Sequence, residues 1–245
     1  MSQLFNQAIN LKLASGCVLG LFLFLTPVAT ANAPRGDRQP ASDYTTSGGG
    51  RGCSTSVNEI PLTLLAPKTY IGYTASTRPT FVGYLSSSHE IEFQIFEFVS
   101  NNTVKAFSDP IKQEISPGIF QVSLPESYPK LTVGKKYFWQ VAISCSGDDL
   151  VERAEFMVVE MPSTVENKLL TTTNALQKSN TYAAANLWYE ALAEALNSAT
   201  PGKLGQVGSN LVQEFAKYES ARVTENEELV KKRIQHLQTI ANQER

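Results

Sequence analysis

From about Glu59 to Glu160, apolar and polar side chains alternate with a period of two, and Pro, Gly, Asn and Asp punctuate the runs at short intervals. That rhythm predicts strands with one buried face, and short strands in such a series predict a β sandwich of about seven strands. Ile60 to Ala66 opens the set. Pro79 to Leu85 follows, with Phe81 and Leu85 on one face and Val82 and Tyr84 on the other. Ile91, Phe93 and Ile95 alternate with Glu90, Glu92 and Gln94; the phase then shifts to Phe96 and Phe98, which predicts a bulge near Ile95 or Phe96. Asn101-Asn102 marks a turn, Lys112 to Ile115 a short strand, and Pro117-Gly118 a turn into Phe120, Val122 and Leu124. In the clearest strand, Tyr137, Trp139, Val141, Ile143 and Cys145 all project to one side, and Ala154, Phe156 and Val158 form the last strand.

After Met161-Pro162 the period becomes helical. Ser163-Thr164-Val165-Glu166 reads as a capping box, in which serine and glutamate satisfy each other's orphan backbone N–H groups. The helix it opens is expected to run to about Lys178 and to break at Ser179-Asn180. A second helix, Thr181 to Asn197, carries Tyr182, Leu187, Trp188, Ala191, Leu192, Ala195 and Leu196, and Thr200-Pro201-Gly202 ends it. A third, Leu204 to Tyr218, sets Leu204, Val207, Leu211, Phe215 and Tyr218 along one stripe. A fourth opens at a second capping box, Thr224 to Glu227, and carries Leu229, Val230, Ile234, Leu237 and Ile240 opposite a charged face. The second and third helices look like a repeat-type (TPR-like) helical hairpin. Leu131 to Trp139 resembles the approach to the penultimate strand of fibronectin-type and immunoglobulin-like sandwiches, where a leucine and a tyrosine pin a corner between sheets. The expected fold is therefore such a sandwich over 53–161, followed by three or four helices over 162–245.

The amino-terminal residues carry a different signal. Lys12 precedes an uncharged apolar run, Leu13 to Leu25, which is short for a membrane span, and Ala29-Thr30-Ala31 fits a small-residue cleavage site. Residues 1–31 therefore read as a secretory signal peptide whose removal leaves Asn32 first; an uncleaved anchor is the competing reading. Cys17 lies inside the apolar run, whereas a lipid-attachment cysteine would close it. Residues 32–52, rich in Pro, Gly, Ser, Thr and Arg, have almost nothing to bury and read as a flexible arm. Its Arg35-Gly36-Asp37 is too short to carry weight, and Gly48-Gly49-Gly50 lacks the strand and helix of a phosphate-cradling loop.

Composition removes several functions. With 21 basic and 23 acidic residues the net charge is -2, so the chain lacks the basic footprint of a general nucleic-acid binder. Two histidines and three cysteines exclude short-spaced Cys/His metal motifs, and no cofactor or metal is expected. Signal removal leaves Cys53 and Cys145, which an oxidising compartment would join in a disulfide, free thiols being the alternative. It would close a loop of about ninety residues, and the chain-entropy estimate is roughly 4 to 5 kcal/mol at best.

Catalytic patterns are absent from the sequence. It contains no G-x-S-x-G, H-E-x-x-H or Walker pattern. His89, in Ser86-Ser87-Ser88-His89-Glu90, reads as part of a polar hairpin loop, because sequence neighbours on an extended chain point to opposite sides. His236 falls on the charged face of the last helix, as a solvated residue. Asp148-Asp149, Glu152 with Glu155, and Glu225, Glu227 and Glu228 are paired acids, but a glycosidase needs two carboxylates facing across about 5 to 9 Å. Asp148 and Asp149 offer too few oxygen ligands for calcium and read as a solvated turn. Phe81, Tyr137, Trp139, Trp188 and Leu192 are the expected structural core, and neither tryptophan is read as a sugar platform.

Arg35-Gly36, Gly48 to Cys53, Leu62 to Pro67, Thr77 to Phe81, Pro117-Gly118-Ile119, Gly134 to Trp139, Cys145 and Trp188 to Leu192, in that order, resemble a secreted cyanobacterial family, the domain of unknown function 928. The similarity covers about Pro34 to Tyr218. The chain departs from it at Gly83, where the family tends to have an aromatic, and at Glu190, where it tends to have aspartate. The resemblance implies export and a two-part layout, and no activity. The expected role is an exported, non-catalytic periplasmic or cell-surface module that binds another envelope protein or a surface glycan, with no membrane span after signal cleavage. An envelope hydrolase acting on glycan or peptide through paired carboxylates is the alternative. Alkylating the denatured, unreduced mature chain is expected to label no thiol, and reduction to expose Cys53 and Cys145; labelling before reduction contradicts the bridge.

Overall fold

The structure, a computed structural model, describes residues 39–42, 59–100, 103–146, 149–219 and 226–245. Nine strands come first: β1 Thr63–Leu64, β2 Gly72–Thr74, β3 Phe81–Leu85, β4 His89–Ser100, β5 Thr103–Ala106, β6 Ile111–Ile115, β7 Gly118–Val122, β8 Lys136–Ile143 and β9 Leu150–Val158. Five helices follow: α1 Ser163–Leu170, α2 Ala175–Ala184, α3 Trp188–Leu196, α4 Gly205–Ala216 and α5 Glu227–Gln243. The smaller sheet runs β1-β3-β7. The larger runs β2-β9-β8-β4, with β5 and β6 both pairing β4. Among the described strands, only β2 and β9 pair in parallel.

Phe81 shows why the sheets face each other. Its ring, at the start of β3 in the smaller sheet, lies 5.3 Å from Phe93, 4.9 Å from Trp139 and 5.2 Å from Phe156, all in the larger sheet, and 5.5 Å from Tyr189 of α3. The core continues without a break from Leu62 through the strands to Ala241 of α5, so sheets and helices share one interior.

The strand pattern differs from expectation at β4. Its alternation holds phase as far as Phe98: Ile91, Phe93, Ile95 and then Glu97 are buried, while Phe96 and Phe98 take the other parity. No bulge forms in β4 at Ile95 or Phe96. Beside Ile95 the irregularity lies in the opposing chain, where Phe107 and Ser108 both donate N–H to the Ile95 carbonyl at 2.8 and 3.3 Å, and the register of β4 itself shifts further on, between Phe98 and Ser100. Glu97 tolerates its inward position because Lys135 and Lys105 approach to 2.5 and 3.2 Å. The Lys135 hydrogen bond holds its carboxyl below the usual range. Outside, Phe96 stacks on Phe138 at 4.7 Å.

The helices also begin and end elsewhere. Pro162 is the N-cap of α1 and no side chain caps it, so the expected Ser163–Glu166 capping box does not form. The helix stops at Leu170, not Lys178, because Thr171 and Thr172 return their hydroxyls to the Lys168 carbonyl at 3.0 and 2.7 Å. Asn174 then starts α2 by accepting from the backbone N–H groups of Leu176 and Gln177. Ser179-Asn180, expected to break a helix, lies inside α2, where Ser179 donates to the Ala191 carbonyl at 2.8 Å and ties α2 to α3. The break comes at Asn186, whose φ of 59° is a left-handed conformation that asparagine tolerates. Thr224 lies outside the described residues, and α5 is capped by Asn226.

Gly83 pairs with Phe120 across β3 and β7, and a Cβ at Gly83 would lie 2.3 Å from Phe120 Cζ and 2.6 Å from Cε1. The phenyl ring thus fills the space that the glycine leaves. Gly83→Ala is expected to destabilise the fold by about 1–3 kcal/mol through overpacking, read from urea unfolding, and Gly83→Ala in a Phe120→Ala background is expected to recover part of that increment.

Candidate functional site

Where the β2 edge meets the helices, Tyr70, Tyr73, Trp188, Phe215 and Tyr218 converge on a concavity of about 580 Å³ that includes its open mouth. Three separate pieces of chain supply these rings. Tyr73 sits on β2, which runs parallel to β9 on one side and makes a bridge to Leu187 on the other. The strand approaches α3 closely because Gly72 has no side chain: a Cβ there would lie 3.0 Å from the Tyr189 ring. Glu190 of α3 fixes the end of the same strand, its Oε1 accepting from Thr74 Oγ1 at 2.5 Å and from Ala75 and Ser76 N at 2.9 and 2.8 Å. Trp188 is positioned by donating its indole N–H to the Leu65 carbonyl at 2.8 Å and by lying 4.3 Å from Phe215. The lining is otherwise apolar apart from Asn186 and the Glu214 carboxylate, which meets Lys217 at 2.5 Å on the surface.

Among the residues singled out from sequence, Phe81, Tyr137 and Trp139 are fully buried, Leu192 is 1% exposed and Trp188 8%. Trp188 both closes the core and lines the pocket, whereas Trp139 is sealed inside, its indole N–H donated to Tyr189 Oη at 3.2 Å. Burial pushes the Tyr189 phenol well up, so it stays neutral at every physiological pH. Cys145 follows β8, half-buried and not a free thiol, while Cys53, Arg35 to Asp37, Gly48 to Gly50, Asn101-Asn102, Asp148 and Glu225 lie outside the described residues. Glu152 and Glu155 do not pair. Strand parity sends Glu152 to Lys68 and Glu155 to the other face of β9, where Ser42 N donates to it at 2.9 Å and Lys136 lies at 3.4 Å. Among the described residues no group of three or more His, Cys, Asp or Glu is placed to hold a metal.

A second concavity, of about 450 Å³, corrects the reading of His89. Ser87 and His89 are two residues apart and do share a side, with Ser87 Oγ 3.1 Å from His89 Nε2. Glu59, from a distant segment, accepts from Ser86 and Ser87 hydroxyls at 2.6 and 3.1 Å. Serine, histidine and carboxylate therefore converge, but the carboxylate meets the serine, whereas a nucleophilic triad needs it on the imidazole. Glu90, the sequence neighbour, faces outward toward Lys112 at 3.6 Å.

Sequence reading also missed a largely buried ionic cluster. Lys68 Nζ meets Glu152 at 2.5 Å, its backbone N–H donates to Glu219 at 3.0 Å, and Arg233 of α5 donates to the Leu64 and Ala66 carbonyls at 3.2 and 2.7 Å. Burial pulls the Lys68 ammonium down, against the Glu152 charge. His236, expected to be solvated, is half-buried on α5 beside this cluster. The aromatic pocket and the ionic cluster come from segments whose spacing carries no periodic signal; only Trp188, Leu211, Phe215 and Tyr218 lay on a legible stripe.

Two facing sheets joined to helices, with a ring-lined pocket where sheet edge and helices meet, define a β domain with a built-in aromatic concavity. The chain belongs to the domain of unknown function 928 family, which matches residues 46–214. No curated protein matches the chain. Among the described residues no helix is long and apolar enough to cross a membrane.

Burial, followed by Lys232 and Arg233, lowers the His236 pKa, and Glu152 opposes them. The unfolded chain therefore binds the proton more readily, and stability falls as pH drops through the unfolded value of about 6.5 toward the lower folded value. Between about pH 7.5 and about pH 5.5, the urea midpoint of the wild type is expected to fall more than that of His236→Gln; equal falls would remove His236 as the cause.

Proposed function

We propose that this protein is an exported, non-catalytic binding module of the envelope or cell surface, whose ligand seats in the aromatic pocket between β2 and the helices. The pocket carries the proposal: rings gathered from three segments and held by Glu190, Gly72 and the Trp188–Leu65 hydrogen bond form a prepared concavity. The acids at the junction of sheets and helices favour binding over hydrolysis. Glu152 and Glu219 are both engaged by Lys68, and Glu190 is spent on the turn after β2, so among the described residues no two carboxylates stand opposed across the pocket.

The finer description of the fold belongs to the same proposal. An immunoglobulin-like or fibronectin-type sandwich is supported by the split of the strands into β1-β3-β7 and β9-β8-β4 sheets, and by Tyr137 Oη accepting from Thr132 N at 3.1 Å beside buried Leu131. The helical hairpin is supported by α3 and α4, joined through Trp188 and Phe215. Export, with cleavage before Asn32 and a Cys53–Cys145 bridge, places the pocket where an envelope partner meets it. A photo-crosslinking residue at Tyr73 is expected to capture a specific partner in intact cells, and one at Thr103, on β5 at the far edge of the larger sheet, to capture none. Equal capture at both sites, or none at either, would sink the pocket as the binding site.

A further inference from the structure

We infer that the aromatic pocket selects an organic cation with a bulky, weakly hydrated head, of the quaternary ammonium class; the inference rests on the binding role proposed for that pocket. Five rings line it: Tyr70 and Tyr73 from the β2 side, Trp188 from α3, and Phe215 and Tyr218 from α4 and its end. An aromatic face carries the negative part of the ring quadrupole, so several rings around one cavity make it attractive to positive charge without any ion pair. Among the described residues the lining contains no lysine, arginine or histidine, and Glu214 is its one ionisable residue besides the tyrosines. Lys217, which pairs with Glu214 at the surface, does not line the cavity.

Two further features narrow the class. Trp188 has already given its indole N–H to Leu65, so the ring offers the cavity its apolar surface and no donor. Among the described residues, polar side chains are otherwise confined to Asn186, Glu214 and the tyrosines, too sparse to replace the hydration of a sugar's many hydroxyls. A primary ammonium is a compact, strongly hydrated charge that gives up much of its water on entering such a site, whereas a trimethylammonium head gives up little. The cavity opens to solvent at its mouth, so a choline-like head carried on a small molecule or on a surface polymer meets the same chemistry.

The test is calorimetric titration of the mature full-length chain with choline and, in parallel, with its uncharged isostere 3,3-dimethylbutan-1-ol. Choline is expected to bind roughly tenfold or more tightly than the isostere, with Glu214→Gln narrowing that ratio and Tyr73→Leu, which keeps bulk but removes a ring, narrowing it further. Thermal melts check that both variants stay folded. Equal affinity for the two probes overturns cation selection while leaving a binding pocket in place. Binding of neither overturns it too, and the crosslinking experiment at Tyr73 then decides separately whether the pocket binds anything else.

Discussion

The structure turns on one side chain, Phe81, which makes ring contacts with both strands of the central β8–β4 pair, with β9 and with α3 at centroid distances between 4.9 and 5.5 Å. Burying a phenylalanine is worth about 1.5–3 kcal/mol, and each favourable aromatic pair adds about 0.5–1.5 kcal/mol. More important than the sum is the geometry. Because Tyr189 follows Trp188 in α3 and its hydroxyl receives the Trp139 N–H, the packing around Phe81 also sets where Trp188 emerges at the pocket. The concavity is thus a by-product of how the core closes, and Gly72 and Glu190 complete it from the strand side.

Charge placement follows the same economy of position. Glu97, Glu155 and Glu219 are all inaccessible or nearly so, yet each meets a lysine or arginine or a backbone N–H from a different segment. Removing one partner of such a pair leaves a buried charge, which costs far more than losing a surface pair. These contacts join segments distant in sequence: Ser42 to β9, Lys68 to the end of α4, and α5 to the chain before β2.

What was legible in the sequence was periodicity, and what was not was long-range. The alternation of β4, β8 and β9 and the apolar stripe of α4 could be read directly, because each buries one face along its own length. Glu97 defeated the reading at the end of β4: a charge at an inward position looks like a phase change unless Lys135 and Lys105 are known to meet it. β2, three residues long, pairs in parallel with a strand far along the chain and has no local signature. The break at Asn186 depends on a positive φ that any asparagine can supply, and the one expected at Ser179-Asn180 was filled by a hydrogen bond to α3. In the site, Trp188 was read as core, and its place in the pocket required Tyr70 and Tyr73, which no spacing connects to it. Ser87 and His89 could have been matched by parity alone; Glu59 could not.

Positions 83 and 120 share one volume. The glycine cedes its space to a phenyl ring arriving from the neighbouring strand, so the two sites hold a single aromatic between them rather than one each. A chain that carries the ring at the first position must give it up at the second, and drift at either site is permissible only as an exchange across the ladder.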